Sequence, residues 1–158
     1  MTHDEEKDVL QYLVPKHILH VQMILDGLRY RPIAADAVQL ICEGYGCGIE
    51  ELAEKGGMHS RPRLANCRAT IIDILNDRHL FNMSLVEISQ LFFGGRDHTT
   101  LLYIREKHYL FDLTYMACVH RVCLLIKVDY NETLNRLEAN HLIKSGTKAN
   151  RRNSGTAG

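Results

Sequence analysis

The apolar residues of this chain fall into successive runs at helical spacing, separated by glycine, proline or polar breaks. In residues 4–28, Val9, Leu10, Leu13 and Val14 and then Ile18, Val21, Ile24, Leu25 and Leu28 lie on either side of Pro15. That predicts one or two helices, with Pro15 tolerated in the first turn of the second. Gly27 and the Arg31-Pro32 pair end the run. The pattern resumes with Ala37, Val38, Leu40 and Ile41, stops in the glycine-rich residues 44–48, and returns for one short turn at Ile49–Leu52. A further helix carries Leu64, Cys67, Ile71, Ile72, Ile74 and Leu75 on its apolar face, with Ser60 able to cap it. Leu80 and Phe81 then plug the core within the connection that follows.

The next stretch, SLVEISQLFFGGRDHTTLLYIREK over residues 84–107, carries the strongest local signals. Ser84 followed by Glu87 is a capping-box spacing, and Leu85, Ile88 and Phe92 fall at i, i+3 and i+7. A short amphipathic helix therefore starts at Ser84 and is stopped by Gly94 and Gly95. Asp97 can accept the free backbone N–H groups of a second helix, whose Leu101, Leu102, Tyr103 and Ile104 point in part back at the first. The unit reads as a helix-turn-helix. In such a unit the first residues of the second helix enter the major groove, and here Arg96, Asp97, His98, Thr99 and Thr100 are all polar.

After Lys107 an apolar pattern through Leu110, Leu113, Met116, Ala117, Val119, Val122, Cys123, Leu125 and Ile126 predicts a long covering helix, broken near Phe111-Asp112. Glu132 to Ile143 forms a last helix. The whole is an all-α fold, with an acidic helical arm over residues 1–31, a helix-turn-helix domain over 32–144, and a basic polar tail over 145–158 that cannot bury enough surface to order itself.

Charge sharpens the functional reading. The formal net charge is zero, yet residues 1–54 hold 4 Lys/Arg against 10 Asp/Glu, whereas residues 55–158 hold 15 against 9. The basic part contains the helix-turn-helix, and Lys and Arg neutralising phosphates supply most non-specific DNA affinity. No run approaches eighteen apolar residues, and the N-terminal MTHDEEKDV is acidic where a signal peptide would be basic and then apolar. The expected location is the cytoplasm, at the nucleoid, away from any membrane. The five cysteines fit reduced core thiols. Cys118, His120 and Cys123 do not make a metal site, because i and i+2 lie on different helix faces and no CxxC pair completes four ligands. No Gly-Lys-Ser/Thr follows the glycines at 44–48, so no nucleotide site or cofactor is expected, and no nucleophile-base-orienter set suggests an enzyme.

The SLVEI and GGRDHTT segments resemble the signature of the C-terminal DNA-binding domain of the DnaA family, the bacterial replication initiators. The likeness runs more loosely from about Asp36 to about Lys127. It implies a helix-turn-helix bundle of the DnaA C-terminal, Trp-repressor-like type that reads double-stranded DNA at DnaA-box-like sites. In that family a basic loop and an arginine in the next helix hold the minor groove. Arg68, in CRATII, matches that arginine, and Arg61 and Arg63 stand in the basic loop. The resemblance thus implies base or groove contacts from Arg68, Asp97, His98, Thr99 and Thr100, and phosphate contacts from Arg61, Arg63, Ser84, Arg96 and Lys107. From the residues alone, Asp97 selects a base or simply caps the helix, and Arg68 meets DNA or is a solvated surface arginine.

The chain departs from the family by one extra residue between Ser84 and Gly94, by Val86 in place of a proline and by Tyr103 in place of a histidine. It also carries no phosphate loop of an ATPase module. The implied role is regulation of replication or transcription. The alternative is a protein-interaction scaffold or adaptor on the same fold, with the N-terminal arm packing on the domain, pairing with a second copy or recruiting a protein partner.

Overall fold

The structure is a computed structural model that describes residues 15–54, 62–107 and 112–141. Among them every regular element is helical: α1 (Pro15–Tyr30), a 3-10 helix (Arg31–Ile33), α2 (Ala34–Tyr45), a second 3-10 helix (Ile49–Ala53), α3 (Pro62–Asn76), α4 (Leu85–Phe92), α5 (His98–Lys107), α6 (Leu113–Ile126) and α7 over residues 130–141. The fold is all-α. It divides into two compact units, residues 1–108 and 109–158. The described part of the expected arm, residues 15–31, falls in the same unit as α2 to α5, and α6 and α7 fall in the other. Residues 1–14, Ser60, Arg61 and the tail over 145–158 lie outside the described residues.

In the first unit α3 is the central element, packing against α2, α4 and α5. Its sequence explains the position. Leu64, Ala65, Cys67, Ala69, Ile71, Ile72, Ile74 and Leu75 are all buried, so α3 is covered nearly all round. Each fully buried aliphatic side chain contributes on the order of 1.5–3 kcal/mol of transfer free energy. From α2 come Ala37, Val38, Ile41 and Cys42, all without exposed surface, and Cys67 Sγ lies 3.9 Å from Cys42 Sγ. The two polar side chains in this seam satisfy each other. Tyr45 Oη and Thr70 Oγ1 are 2.7 Å apart, and Thr70 also donates to the Asn66 carbonyl at 2.9 Å.

The expected boundaries follow the local chemistry. Gly46, in the left-handed region at φ 69°, ends α2. Leu80 and Phe81 are buried in the connection over residues 77–84, and Tyr30 packs edge-on against the Phe81 ring. Asn82 adopts φ 49°, a conformation asparagine tolerates better than most residues, and this returns the chain to the Ser84 cap.

In the second unit Asp112 Oδ1 caps α6 by accepting from the Tyr115 N–H at 2.9 Å, and Lys127 ends it at φ 60°. The break near Phe111-Asp112 is thus real at the Asp112 cap. The buried stripe is Tyr115, Cys118, Val119, Val122, Cys123 and Ile126. Leu113 and Ala117, expected within the apolar run, are exposed instead, because burial follows the 3-4 spacing set by Tyr115 and Cys118. Asp129 caps α7 through the Glu132 N–H, with Thr133 and Leu137 buried on its inner face.

Candidate functional site

The arrangement from α4 to α5 grows from a cap, a turn and a second cap. Ser84 Oγ accepts from the Glu87 N–H at 3.1 Å while Glu87 Oε1 faces the Ser84 N–H at 3.5 Å, so the capping box forms in full. Arg31, the first residue of the 3-10 helix after α1, donates to the same Glu87 oxygen at 3.4 Å and to the Asn82 carbonyl at 3.3 Å. Ile88 and Ser89 are buried, and Phe93, the additional aromatic of the LFF segment, has no exposed surface. Phe93 thus closes α4 as a core side chain at its C-cap.

The turn after Phe93 is held from within. Gly94 and Gly95 both lie in the left-handed region, at φ 71° and 78°. The Ser89 carbonyl accepts from Phe93 at 2.9 Å and from Gly95 at 3.0 Å, and the Ser89 hydroxyl donates to the Arg96 carbonyl at 2.5 Å. On its other side the turn meets the second 3-10 helix. A Cβ on Gly94 would stand 3.3 Å from Ala53 Cβ, and the Arg96 guanidinium donates to the Glu54 carbonyl.

Asp97 then starts α5. Its Oδ1 accepts from the Thr99 N–H at 3.2 Å, and its carbonyl accepts from Thr100 at 3.0 Å and Leu101 at 3.4 Å. The Thr99 N–H, with the Thr99 hydroxyl adding to it, holds the Asp97 carboxyl below its ordinary value. Helix capping is therefore an occupied role for this residue, one of the two that the sequence allowed. Asp97 and His98 face each other at 3.0 Å, with their side chains 66% and 57% exposed. Thr99 is exposed and Thr100 half-buried, whereas Leu101 and Ile104 are completely buried. Within one and a half turns α5 passes from a solvent-facing polar end to a root in the core. Arg105 fastens the far half of the helix, donating to Asn76 Oδ1 at 2.7 Å, while Asn76 Nδ2 donates to the Met83 carbonyl at 2.9 Å.

The anticipated site residues do not all come together. Arg96, Asp97, His98, Thr99 and Thr100 form one contiguous stretch at the start of α5. Ser84 is exposed but engaged as the cap of α4. Arg63 is exposed in the first turn described for α3, with its guanidinium beside Gly46. Lys107 closes α5, about 14 Å along the axis from His98 at roughly 1.5 Å per residue. Arg61 lies outside the described residues.

Arg68 requires a correction. It is 1% exposed and buried against the second 3-10 helix, so neither a groove contact nor a solvated surface position is open to it. Its Nε donates to the Leu52 carbonyl at 3.2 Å, and its Nη2 donates to the carbonyls of Glu51 at 3.1 Å and Glu54 at 3.0 Å. The physical reason is register. Arg68 stands four residues after Leu64 and three, four and seven before Ile71, Ile72 and Leu75, in the middle of the apolar face. That spacing was a usable signal. Ser89 was also missed, and its sign was a lone hydroxyl next to Ile88 on the inner side of α4.

All five cysteines are free thiols, with Cys42, Cys67, Cys118 and Cys123 buried and Cys47 half-buried. His120 is exposed and packs edge-on against Tyr130, on a different side of α6 from Cys118. Among the described residues no group of three His, Cys, Asp or Glu side chains could hold a metal ion, and no helix is long and apolar enough to cross a membrane. No protein-family model, curated protein or solved structure matches this chain.

Proposed function

We propose that this protein binds double-stranded DNA sequence-specifically through the α4–turn–α5 unit, at DnaA-box-like sites, and so regulates replication initiation or transcription at the nucleoid. The observation that carries the reading is the polar start of α5. Asp97, His98 and Thr99 stand in solvent on a helix that Leu101 and Ile104 anchor in the core. A helix fixed at one end and polar at the other is suited to entering a major groove N-terminus first.

In this reading Thr99 and Thr100 offer hydroxyls to base edges and methyls to thymine, and His98 donates to a guanine or phosphate acceptor. Asp97 keeps its cap on Thr99 and has lone pairs left for a cytosine or adenine amino group. Arg96 and Arg63 neutralise phosphates, and the capped N-terminus of α4 lies toward the backbone that the first helix of such a unit crosses. The departures at Val86 and Tyr103, both about half exposed, bear on which bases are preferred rather than on whether DNA is bound.

Fluorescence anisotropy of the full chain at near-physiological salt, with a DnaA-box duplex and a scrambled duplex of equal composition, tests the proposal. Tighter binding to the box is the expected result. Equal weak binding to both removes the specificity claim. A second reading, an adaptor that recruits a protein partner, draws on Ile24 and Leu28, which stand 41% and 48% exposed on α1. It predicts no salt-dependent binding of any duplex.

A further inference from the structure

We propose that Arg68 is a positioning residue for the DNA-binding surface, setting the direction of Arg96 through the carbonyl of Glu54; this rests on the DNA-binding reading above. The geometry places two guanidiniums on one acceptor. Arg68 Nη2 reaches the Glu54 carbonyl at 3.0 Å from the buried side, and Arg96 Nη2 donates to the same oxygen from the exposed side. A carbonyl oxygen has two lone pairs and can accept from both.

The chain of support is short. The three carbonyls bonded by Arg68, those of Glu51, Leu52 and Glu54, lie at the end of the second 3-10 helix, and the first of them also accepts from the Glu54 N–H at 3.1 Å. Leu52 is completely buried, and Arg68 closes over the same segment, so the backbone of residues 51–54 is fixed from the core side. That segment is also the floor on which the α4–α5 turn rests, with Ala53 under Gly94 and the Glu54 carbonyl under Arg96. Arg96 immediately precedes Asp97, the cap of α5. Its side chain could swing freely from an exposed turn, yet it is held beside the residues that would read bases.

Burial first, and then the like charge of Arg96, hold the Arg68 guanidinium below its ordinary value. The two cations repel each other while sharing an acceptor. The exposed guanidinium has N–H groups beyond the one on Glu54, and in the DNA-binding reading phosphate oxygens take them.

The test compares wild type with Arg68→Lys, Arg96→Ala and the double variant in the full chain. In the free protein, the Nε–Hε resonance of Arg96 in nitrogen-15 spectra should shift and broaden in Arg68→Lys. Reciprocally, the Arg68 resonance should shift in Arg96→Ala, a half-exposed substitution that keeps the fold even where Arg68→Lys does not. With a box duplex, Arg96→Ala should reduce the slope of log K against log salt by about 0.9, the loss of one phosphate contact. Arg68→Lys should reduce it by nearly as much at unchanged helix content, and the double variant by no more than either alone. Unmoved resonances in both directions, or additive losses in the double variant, overturn the inference. If wild type binds no duplex in a salt-dependent way, the DNA-binding reading fails, while the two resonance shifts still decide whether Arg68 sets Arg96.

Discussion

Gly94 and Gly95 offer a paired substitution in which one physical variable changes at a time. Their backbones are nearly alike, at φ 71° and 78°, so alanine at either site meets the same left-handed penalty of about 1–2 kcal/mol. Their surroundings differ. A Cβ at Gly95 has nothing within 4 Å, whereas one at Gly94 stands 3.3 Å from Ala53 Cβ and 3.5 Å from the Ala53 carbonyl oxygen. Ala53 cannot withdraw easily, because Leu52 beside it is buried and Arg68 grips the carbonyls on either side. Gly94→Ala should then cost about 1 kcal/mol more than Gly95→Ala, in the range of modest overpacking. Urea unfolding followed by circular dichroism gives both values, with equal m-values required for the comparison. Moving the turn off Ala53 also tilts α5, so box affinity should fall further in Gly94→Ala than in Gly95→Ala. Equal stability losses, or a larger loss at Gly95, would refute the claim that the 3-10 helix is the floor of the turn.

Ser89→Ala removes the hydroxyl that bonds the Arg96 carbonyl and should destabilise by about 1–2 kcal/mol, read from the urea midpoint. Leu101→Ala empties a fully buried position and should cost about 2–5 kcal/mol by the same assay. Because the folded Asp97 carboxyl is held below its ordinary value, its stabilising effect is fully present above the unfolded carboxylate pKa of about 3.9 and is lost as pH falls through the folded value. Asp97→Asn should therefore flatten the acid limb of stability against pH, and an unchanged limb would show that the cap carries no linkage. His98→Ala and Thr99→Ala alter exposed side chains and should leave stability within about 0.5 kcal/mol, while costing about 1–3 kcal/mol in box binding by anisotropy.

The helices and their caps were legible in the sequence because both depend on residues within a turn or two of each other. The Ser84–Glu87 box, the stop at Gly94-Gly95 and the Asp97 cap need only local spacing, and all three form. The buried set of α3 was legible for the same reason. What failed was the destination of long polar side chains. Arg68 finds its acceptors 14 to 17 positions earlier, on a segment whose approach to α3 no periodicity announces. Treating arginine as a surface residue by type overrode its place in the apolar register, where its neighbours at three- and four-residue spacing were all buried. The division after residue 108 was illegible too, since apolar spacing continues on both sides of it.

The turn between α4 and α5 is bonded to the rest of its unit at both ends. The Ser89 carbonyl and hydroxyl meet residues 93–96 from the core, and the Glu54 carbonyl and Ala53 methyl meet them from the end of the second 3-10 helix. A five-residue connection containing two glycines would otherwise be the most entropically expensive part of the unit to order. Here its ordering is completed during folding, at the expense of stability gained elsewhere in the core. Binding at the start of α5 would then proceed without a further ordering cost, and affinity would be spent on contacts. A surface of this kind has a recognisable signature. Substitutions under the turn, at Ser89, Ala53 or Gly94, should weaken every DNA sequence alike, whereas substitutions at His98 or Thr99 should change the ranking among sequences. The distinction separates a preorganised reading surface from a loose turn that folds on contact, because in the latter the exposed and the supporting residues would fail together.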